Sequence, residues 1–296
     1  MAAIKILVTG ANGQLGRSIA SLAPQYPQFA FTFANREELS ITDVDAVNNT
    51  FAAITPDFVI NAAAYTAVDK AESDVEGARA VNATAPGILA AAAKRNGAKF
   101  IHVSTDYVFN GTSETPYKED HPTDPVNEYG RSKLAGEELV VKEDPQAIII
   151  RTAWVYSEFG NNFVKTMMRL MNDRPQIGVV YDQVGAPTYA VDLAAAILDI
   201  ISTTAESPDA WVAGVYHYSN RGKISWYDFA CAIKNRIGAT STVKAITTPE
   251  FPTPAKRPAF SLLDTQKIRD TYQLTIPQWE HSLDVCIRRL GAGPAK

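Results

Sequence analysis

The stretch Ile4-Lys5-Ile6-Leu7-Val8-Thr9-Gly10-Ala11-Asn12-Gly13-Gln14-Leu15-Gly16 decides how the rest of the chain is read. Ile4–Val8 is a compact aliphatic run of strand length, ended by Thr9-Gly10. Leu15–Leu22 then carries a helical pattern, so the three glycines stand between a strand and a helix. Glycine there permits a tight turn and lets the backbone approach a pyrophosphate, whose charge settles at the N-terminus of the following helix. The spacing is G-x-x-G-x-x-G where G-x-G-x-x-G is commoner, but the physical logic is shared. The position directly after a first strand outweighs the alternative of three glycines meeting in a turn by chance. Gly10, Asn12, Gly13, Gln14, Leu15 and Gly16 are therefore candidates to hold a dinucleotide.

Outward from this loop, strands and helices alternate. Phe29–Phe33 reads as a strand, and Asp43–Ile54 as a helix opened by Thr42 or Asp43 and stopped by Pro56. Phe58–Ala62 is a strand, Val75–Asn96 an Ala-rich helix ended by Gly97, and Lys99–Ser104 a strand. Glu128–Glu143 is a helix and Ala147–Thr152 a strand. Continuous apolar strands alternating with helices imply right-handed βαβ units, hence a doubly wound parallel α/β sheet of the Rossmann type. Beyond about residue 170, prolines break the pattern into shorter pieces, with helices at Val191–Thr203, Trp226–Ile237, Thr265–Tyr272 and Gln278–Leu290. The expected organisation is a dinucleotide domain over residues 1–170 and a smaller α/β substrate lobe over residues 171–296, with segments crossing between them. Gly291–Lys296 is expected to be a frayed tail.

Composition narrows the function. The 296 residues carry a net charge of −4, with 46% hydrophobic and 20% charged. These proportions fit a globular protein of one large or two intimate domains and exclude a fibrous or disordered class. With no excess of cations, general nucleic-acid binding is not expected. No stretch approaches the roughly 20 apolar residues of a membrane span, and Met1–Gly10 is too short for a signal-peptide core. Cys231 and Cys286 lack metal-type spacing; they pair in a disulfide or, the favoured reading, stay idle in a reducing cytosol. The expectation is a soluble cytoplasmic protein.

Three further places carry chemistry. After the second strand stand Ala34, Asn35 and Arg36, with no carboxylate before Glu37. A carboxylate would bind a ribose 2′-hydroxyl, whereas Arg36 suits a 2′-phosphate; this favours NADPH with NADH tolerated, unless Arg36 is merely solvated. Asn61-Ala62-Ala63-Ala64 ends the third strand with small side chains that leave room for a cofactor. Tyr129-x-x-x-Lys133 lies in a helix, where residues four apart share a face. An exposed pair is the usual meaning of that spacing. Beside a cation, however, the phenol would ionise more readily and could protonate a carbonyl oxygen as hydride reaches the carbon. Ser104 and Thr105 end a strand where open α/β sheets bind ligands, and a hydroxyl there can polarise the same carbonyl.

In that order, these motifs resemble the extended short-chain dehydrogenase/reductase family and, within it, the dTDP-4-dehydrorhamnose reductases. The resemblance rests on Gly10–Gly16, Asn61–Glu72, Ser104–Phe109, Glu128–Glu137, Arg151–Tyr156, Gly160–Phe163 and Asp182–Thr188, and runs over nearly the whole chain. It implies NAD(P)H-dependent reduction of dTDP-4-dehydro-β-L-rhamnose to dTDP-β-L-rhamnose, with Thr105, Tyr129 and Lys133 as the catalytic set. Asn35, Arg36, Ala63, Ala64, Tyr129 and Lys133 would join the glycine loop around the cofactor. Thr66, Val68, Thr105, Asp106 and Trp154 would line the dTDP-sugar, with a core role as the alternative for Trp154. Asn162 and Arg257 would meet its diphosphate or base.

Some relatives bind magnesium across a dimer with acidic residues. The corresponding stretches here read Arg17-Ser18, Tyr189-Ala190-Val191 and Arg288-Arg289, so no magnesium site is expected, and monomer and homodimer both stay open. Two rivals stay open as well: reduction of another nucleotide-linked 4-ketosugar, and a non-catalytic NADP-binding regulatory subunit.

Overall fold

The computed structural model describes residues 3–291. β1 (Ile4–Thr9), β2 (Phe29–Ala34), β3 (Phe58–Asn61), β4 (Lys99–Thr105) and β5 (Ile148–Thr152) form one parallel sheet with a sixth strand, Gly214–Tyr218. Its order is Gly214–Tyr218, β5, β4, β3, β1, β2. The chain winds one way from β1 to β2 and the other way from β3 onward, so the sheet is doubly wound as expected. The winding reverses beside β1, and in such sheets the crevice for ligands opens at the carboxyl ends at that point.

Strand alternation decides what each face carries. Ile6, Val8, Ile60, Ile101, Ile148 and Ile150 point to one face and pack under α1 (Gln14–Leu22) and the Ala190–Glu206 helix. Leu15, Ile19 and Leu22 of α1 lie on one helical stripe and are buried there. Leu7, Val59, Phe100 and Ile149 point to the other face, under α2 (Val44–Ile54) and the Ala85–Arg95 helix. Toward the carboxyl ends this second face turns polar: Thr9, Asn61 and His102 stand in register across β1, β3 and β4, all fully buried. The Glu128–Glu143 helix packs against β4. That buried polar row underlies the site.

Local chemistry explains most helix ends. Asp43 accepts hydrogen bonds from the backbone N–H groups of Asp45 and Ala46 and caps α2, which ends at Thr55 before Pro56. Glu128–Glu143 starts at the Asn127 cap, whose side chain accepts from the Gly130 N–H. The single helix expected over Val75–Asn96 is instead divided into Val75–Arg79, a π-helical turn Ala80–Thr84, and Ala85–Arg95. Pro86 has no N–H and its ring crowds the carbonyl four residues back, so the ladder widens ahead of it.

The later half of the chain joins the same body. It supplies the sixth strand, the helix packed on α1, and a two-stranded parallel ribbon of Gln176–Val180 with Thr242–Ile246. The sixth strand, both strands of the ribbon and the Phe163–Asp173 helix fall where the sequence reading places none. Cys231 and Cys286 are both free thiols. Among the described residues no helix is long and apolar enough to cross a membrane. Residues 292–296 of the expected tail lie outside the described residues.

Candidate active site

The glycine loop is built for close approach. Gly10 has φ +74°, and a Cβ there would lie 2.6 Å from the Ala63 backbone nitrogen. A Cβ on Gly16 would collide with the Gly10 carbonyl oxygen. Both glycines are therefore required, one by conformation and contact, the other by packing of α1 on the loop. Gly13 is the N-cap of α1 and brings no side-chain cap, so the first-turn N–H groups stay uncovered. Uncovered helix N–H groups and a side-chain-free cradle fit the pyrophosphate of a dinucleotide. Asn12 is exposed at this mouth, and Leu15 is buried in the core, leaving only its backbone to the loop.

The neighbouring strand ends surround the loop. The Ala11 N–H donates to the Ala34 carbonyl at 3.2 Å, tying the loop to the end of β2. Asn35 Oδ1 accepts from the N–H groups of Glu37 and Glu38, folding the turn that displays Arg36. Arg36 is exposed, and no carboxylate among the described residues pairs with it. Ala63 and Ala64 follow β3 beside Gly10.

Thr105 ends β4, and its Oγ1 donates to Asp106 Oδ1 at 3.0 Å. Asp106 is buried, and its Oδ2 has no hydrogen-bond partner. Burial pushes its carboxyl up to about 6, against the pull of the nearby Ser261 and Thr105 hydroxyls. Tyr129 stands edge-on to Tyr107, with ring centroids 5.5 Å apart. That contact needs Gly130, because a side chain there would strike the Tyr107 carbonyl. Arg257 lies over the Tyr107 ring at 5.9 Å and pairs with Asp69 at 2.9 Å, while its Nη1 is buried without a partner. Two unpartnered polar atoms, one acidic and one basic, thus flank the Tyr107–Tyr129 pair. Thr66 and Val68 belong to the turn that carries Asp69; the Val68 N–H donates to the Thr66 carbonyl.

Lys133 departs from expectation. Its Nζ donates to the Val103 carbonyl at 2.8 Å and meets His102 Nε2 at 3.3 Å, with no hydrogen bond to the phenol. Burial is the dominant influence on Tyr129 and pushes its phenol up to about 12, with the neighbouring Thr105 hydroxyl opposing. The expected depression of the phenol by Lys133 is therefore corrected: desolvation wins, and the phenol is fully protonated at neutral pH. The same burial brings Lys133 down to about 8, against the attraction of Glu137.

Asn162 also departs from expectation. Its Oδ1 accepts from the Lys165 N–H and caps the Phe163–Asp173 helix, while its Nδ2 donates to Gln14 Oε1 and to the carbonyls of Ser157 and Phe159. With its amide committed to the chain, it braces Gln14 and the loop around it, and the expected diphosphate contact is not made by a free side chain. Trp154 has φ +50° and stacks on Trp226 at 3.7 Å, half-buried, with one aromatic face already covered.

Several residues around this site have roles that the sequence reading does not assign. Asn82, in the π-helical turn, holds the Tyr65 backbone at both its N–H and carbonyl and donates to Ser132 Oγ. Glu137 and Arg151 form a buried ion pair at 2.7 Å, and Ser104 donates to Glu137. Tyr107 lies in the Ser104–Phe109 stretch without a role assigned to it, and His102 could be suspected only from its place in β4 beside Thr105.

Comparison with known proteins identifies the family. The family described as RmlD substrate binding domain matches residues 4–292. The dTDP-4-dehydrorhamnose reductase of Aggregatibacter actinomycetemcomitans is 42% identical over 285 residues, covering 94% of this chain and 97% of that protein. A crystal structure of a dTDP-4-dehydrorhamnose reductase from Clostridium acetobutylicum superposes with a TM-score of 0.91 at 42% identity, covering 97% of this chain and all of that one. The Bacillus anthracis dTDP-4-dehydrorhamnose reductase, solved in complex with NADP, also gives 0.91, at 38% identity over 97% of this chain and 99% of its own.

Proposed function

The chain belongs to the dTDP-4-dehydrorhamnose reductase family, and from that premise we propose that it reduces the C4 ketone of dTDP-4-dehydro-β-L-rhamnose to the hydroxyl of dTDP-β-L-rhamnose, using NADPH and accepting NADH less well. The observation that carries the reading is the grouping of Thr105, Tyr129 and Lys133 at the carboxyl end of β4, with unpartnered Asp106 Oδ2 and Arg257 Nη1 beside them.

The glycine loop residues Gly10, Asn12, Gly13, Gln14, Leu15 and Gly16 receive the pyrophosphate on backbone N–H groups. Asn35 shapes the turn from which Arg36 meets the 2′-phosphate, and Ala63 and Ala64 leave room for the dinucleotide. When bound, the nicotinamide supplies the hydride that adds to C4. The electron pair then left on the ketone oxygen takes the proton of the Tyr129 phenol, which burial keeps protonated at neutral pH. Thr105 donates to the same oxygen and spreads the developing charge. Lys133, four residues along the helix, holds the cofactor ribose and restores the phenol proton.

Asp106 Oδ2 accepts from a sugar hydroxyl, and Arg257 Nη1 meets the diphosphate, giving each orphaned atom a partner. Thr66, Val68 and the free face of Trp154 border the sugar. A regulatory subunit would have no use for the complete Thr105, Tyr129 and Lys133 set. The two free thiols support a reducing, cytoplasmic setting.

The test is NADPH oxidation with dTDP-4-dehydro-β-L-rhamnose beside other nucleotide-linked 4-ketosugars. Turnover should be fastest with the rhamnose precursor; a clear preference for another ketosugar would reassign the substrate.

A further inference from the structure

Beneath the catalytic lysine runs a buried chain of hydrogen bonds that the reduction itself does not require. Lys133 Nζ meets His102 Nε2 at 3.3 Å, and His102 Nδ1 meets Asn61 Nδ2 at 3.0 Å. Asn61 Oδ1 accepts from Thr9 Oγ1 at 2.7 Å and from the Ala63 N–H at 3.2 Å. Thr9, Asn61, His102 and Lys133 are each at most 1% exposed, so none can turn to water instead. The chain thus joins the lysine to the backbone that touches Gly10.

The direction of the protons along it is fixed at one end. A backbone N–H can only donate, so Ala63 settles which end of the Asn61 amide is oxygen. The Asn61 NH2 then faces His102 Nδ1 and makes that nitrogen an acceptor. Burial holds the imidazole neutral, far below its ordinary value, so its single proton sits on Nε2 and points at Lys133. An ammonium has three donors and no lone pair, and cannot accept that proton, whereas a neutral amine can.

We propose that His102 is a positioning residue for the reduction: held as the Nε2–H tautomer by Asn61, it presents a donor to Lys133 Nζ and favours the amine over the ammonium. The inference rests on the placing of Lys133 at the cofactor and deepens that reading. Its use is poise, since a lysine that gains and loses a proton near neutrality can restore the Tyr129 phenol after each turnover. The other ionisable groups around Lys133 act in known directions. Glu137, one turn on along the helix and paired with Arg151 of β5, favours the ammonium. Tyr129, one turn back, is neutral, and Asp106 acts on Tyr129. Arg79, from the helix alongside, is engaged with Glu128. His102 and burial therefore oppose Glu137.

The test is the tautomer of His102, read from imidazole 15N resonances of the unaltered protein. The chain has only 4 histidines, and His102 is identified by its closeness to the Phe100 ring. The expected result is a protonated Nε2 and a bare Nδ1, unchanged from about pH 6 to 9. A proton on Nδ1, or an imidazolium, overturns the inference. Asn61→Asp places an acceptor against Nδ1; it should flip the tautomer and move the Lys133 titration, followed by its own side-chain resonance, up by about one pH unit. A flipped tautomer with an unmoved lysine also overturns it. None of these readings needs turnover, so an inactive protein with Nε2–H at His102 would count against the reduction and not against the tautomer.

Discussion

Thr105 Oγ1 donates to Asp106 Oδ1 at 3.0 Å and leaves the other carboxylate oxygen buried without a partner. A charge so placed weakens the fold, and the sign can be worked out. The Asp106 carboxyl is raised from 3.8 to about 6, so the protonated form is the one the fold favours. The stability it lends is complete below about pH 4 and is lost as the pH rises through about 6. Asp106→Asn keeps the acceptor for Thr105 and does not ionise. It should be more stable than the parent above pH 6 by up to about 3 kcal/mol, an advantage absent near pH 4. Urea unfolding at the two pH values measures this. Catalysis should fall in the same variant, and equal stability at high pH would mean that Asp106 is solvated.

Tyr129→Phe removes the proposed acid and little else. Turnover should drop about a hundred- to ten-thousand-fold, while the NADPH dissociation constant stays as it was. Stopped-flow reduction and fluorescence titration of the cofactor give the two numbers. Substantial remaining turnover would assign the proton to another donor.

Arg36 stands exposed at the end of β2 with no carboxylate beside it. Arg36→Ala should raise the KM for NADPH about tenfold or more and leave that for NADH nearly unchanged, as expected for one charge-assisted contact to a 2′-phosphate. An equal effect on both cofactors would remove Arg36 from that contact.

Two arginines, Arg17 of α1 and Arg289 of the Trp279–Arg289 helix, are already engaged within the chain. Arg289 pairs with Glu158 at 2.9 Å, and Arg17 lies over the Phe159 ring. Among the described residues no group of three or more His, Cys, Asp or Glu side chains stands close enough to hold a metal ion. With arginines at these places, turnover is expected to be unaffected by EDTA; loss restored by magnesium would contradict this.

The sequence made the doubly wound sheet legible because its strands are buried on both faces and read as unbroken apolar runs, as in Ile6–Val8 and Ile148–Ile150. Gly214–Tyr218 escaped notice because Tyr216, His217 and Tyr218 do not form such a run, although it pairs with β5 along its whole length. The glycine loop and the Tyr129 and Lys133 spacing are local, and local patterns survive in one dimension. What could not be seen was where buried polar side chains spend their hydrogen bonds. Asn162 turned inward to Gln14, and Lys133 turned to Val103 and His102, because tertiary packing, in the second case of the Glu128–Glu143 helix on β4, and not sequence distance brought those partners together.

The most direct measurement of the central claim follows the transferred hydrogen. With NADPH deuterated at the nicotinamide C4 and dTDP-4-dehydro-β-L-rhamnose as substrate, the product should be dTDP-β-L-rhamnose carrying deuterium at sugar C4. Product without that deuterium, or NADPH left unoxidised while both ligands bind, would contradict it.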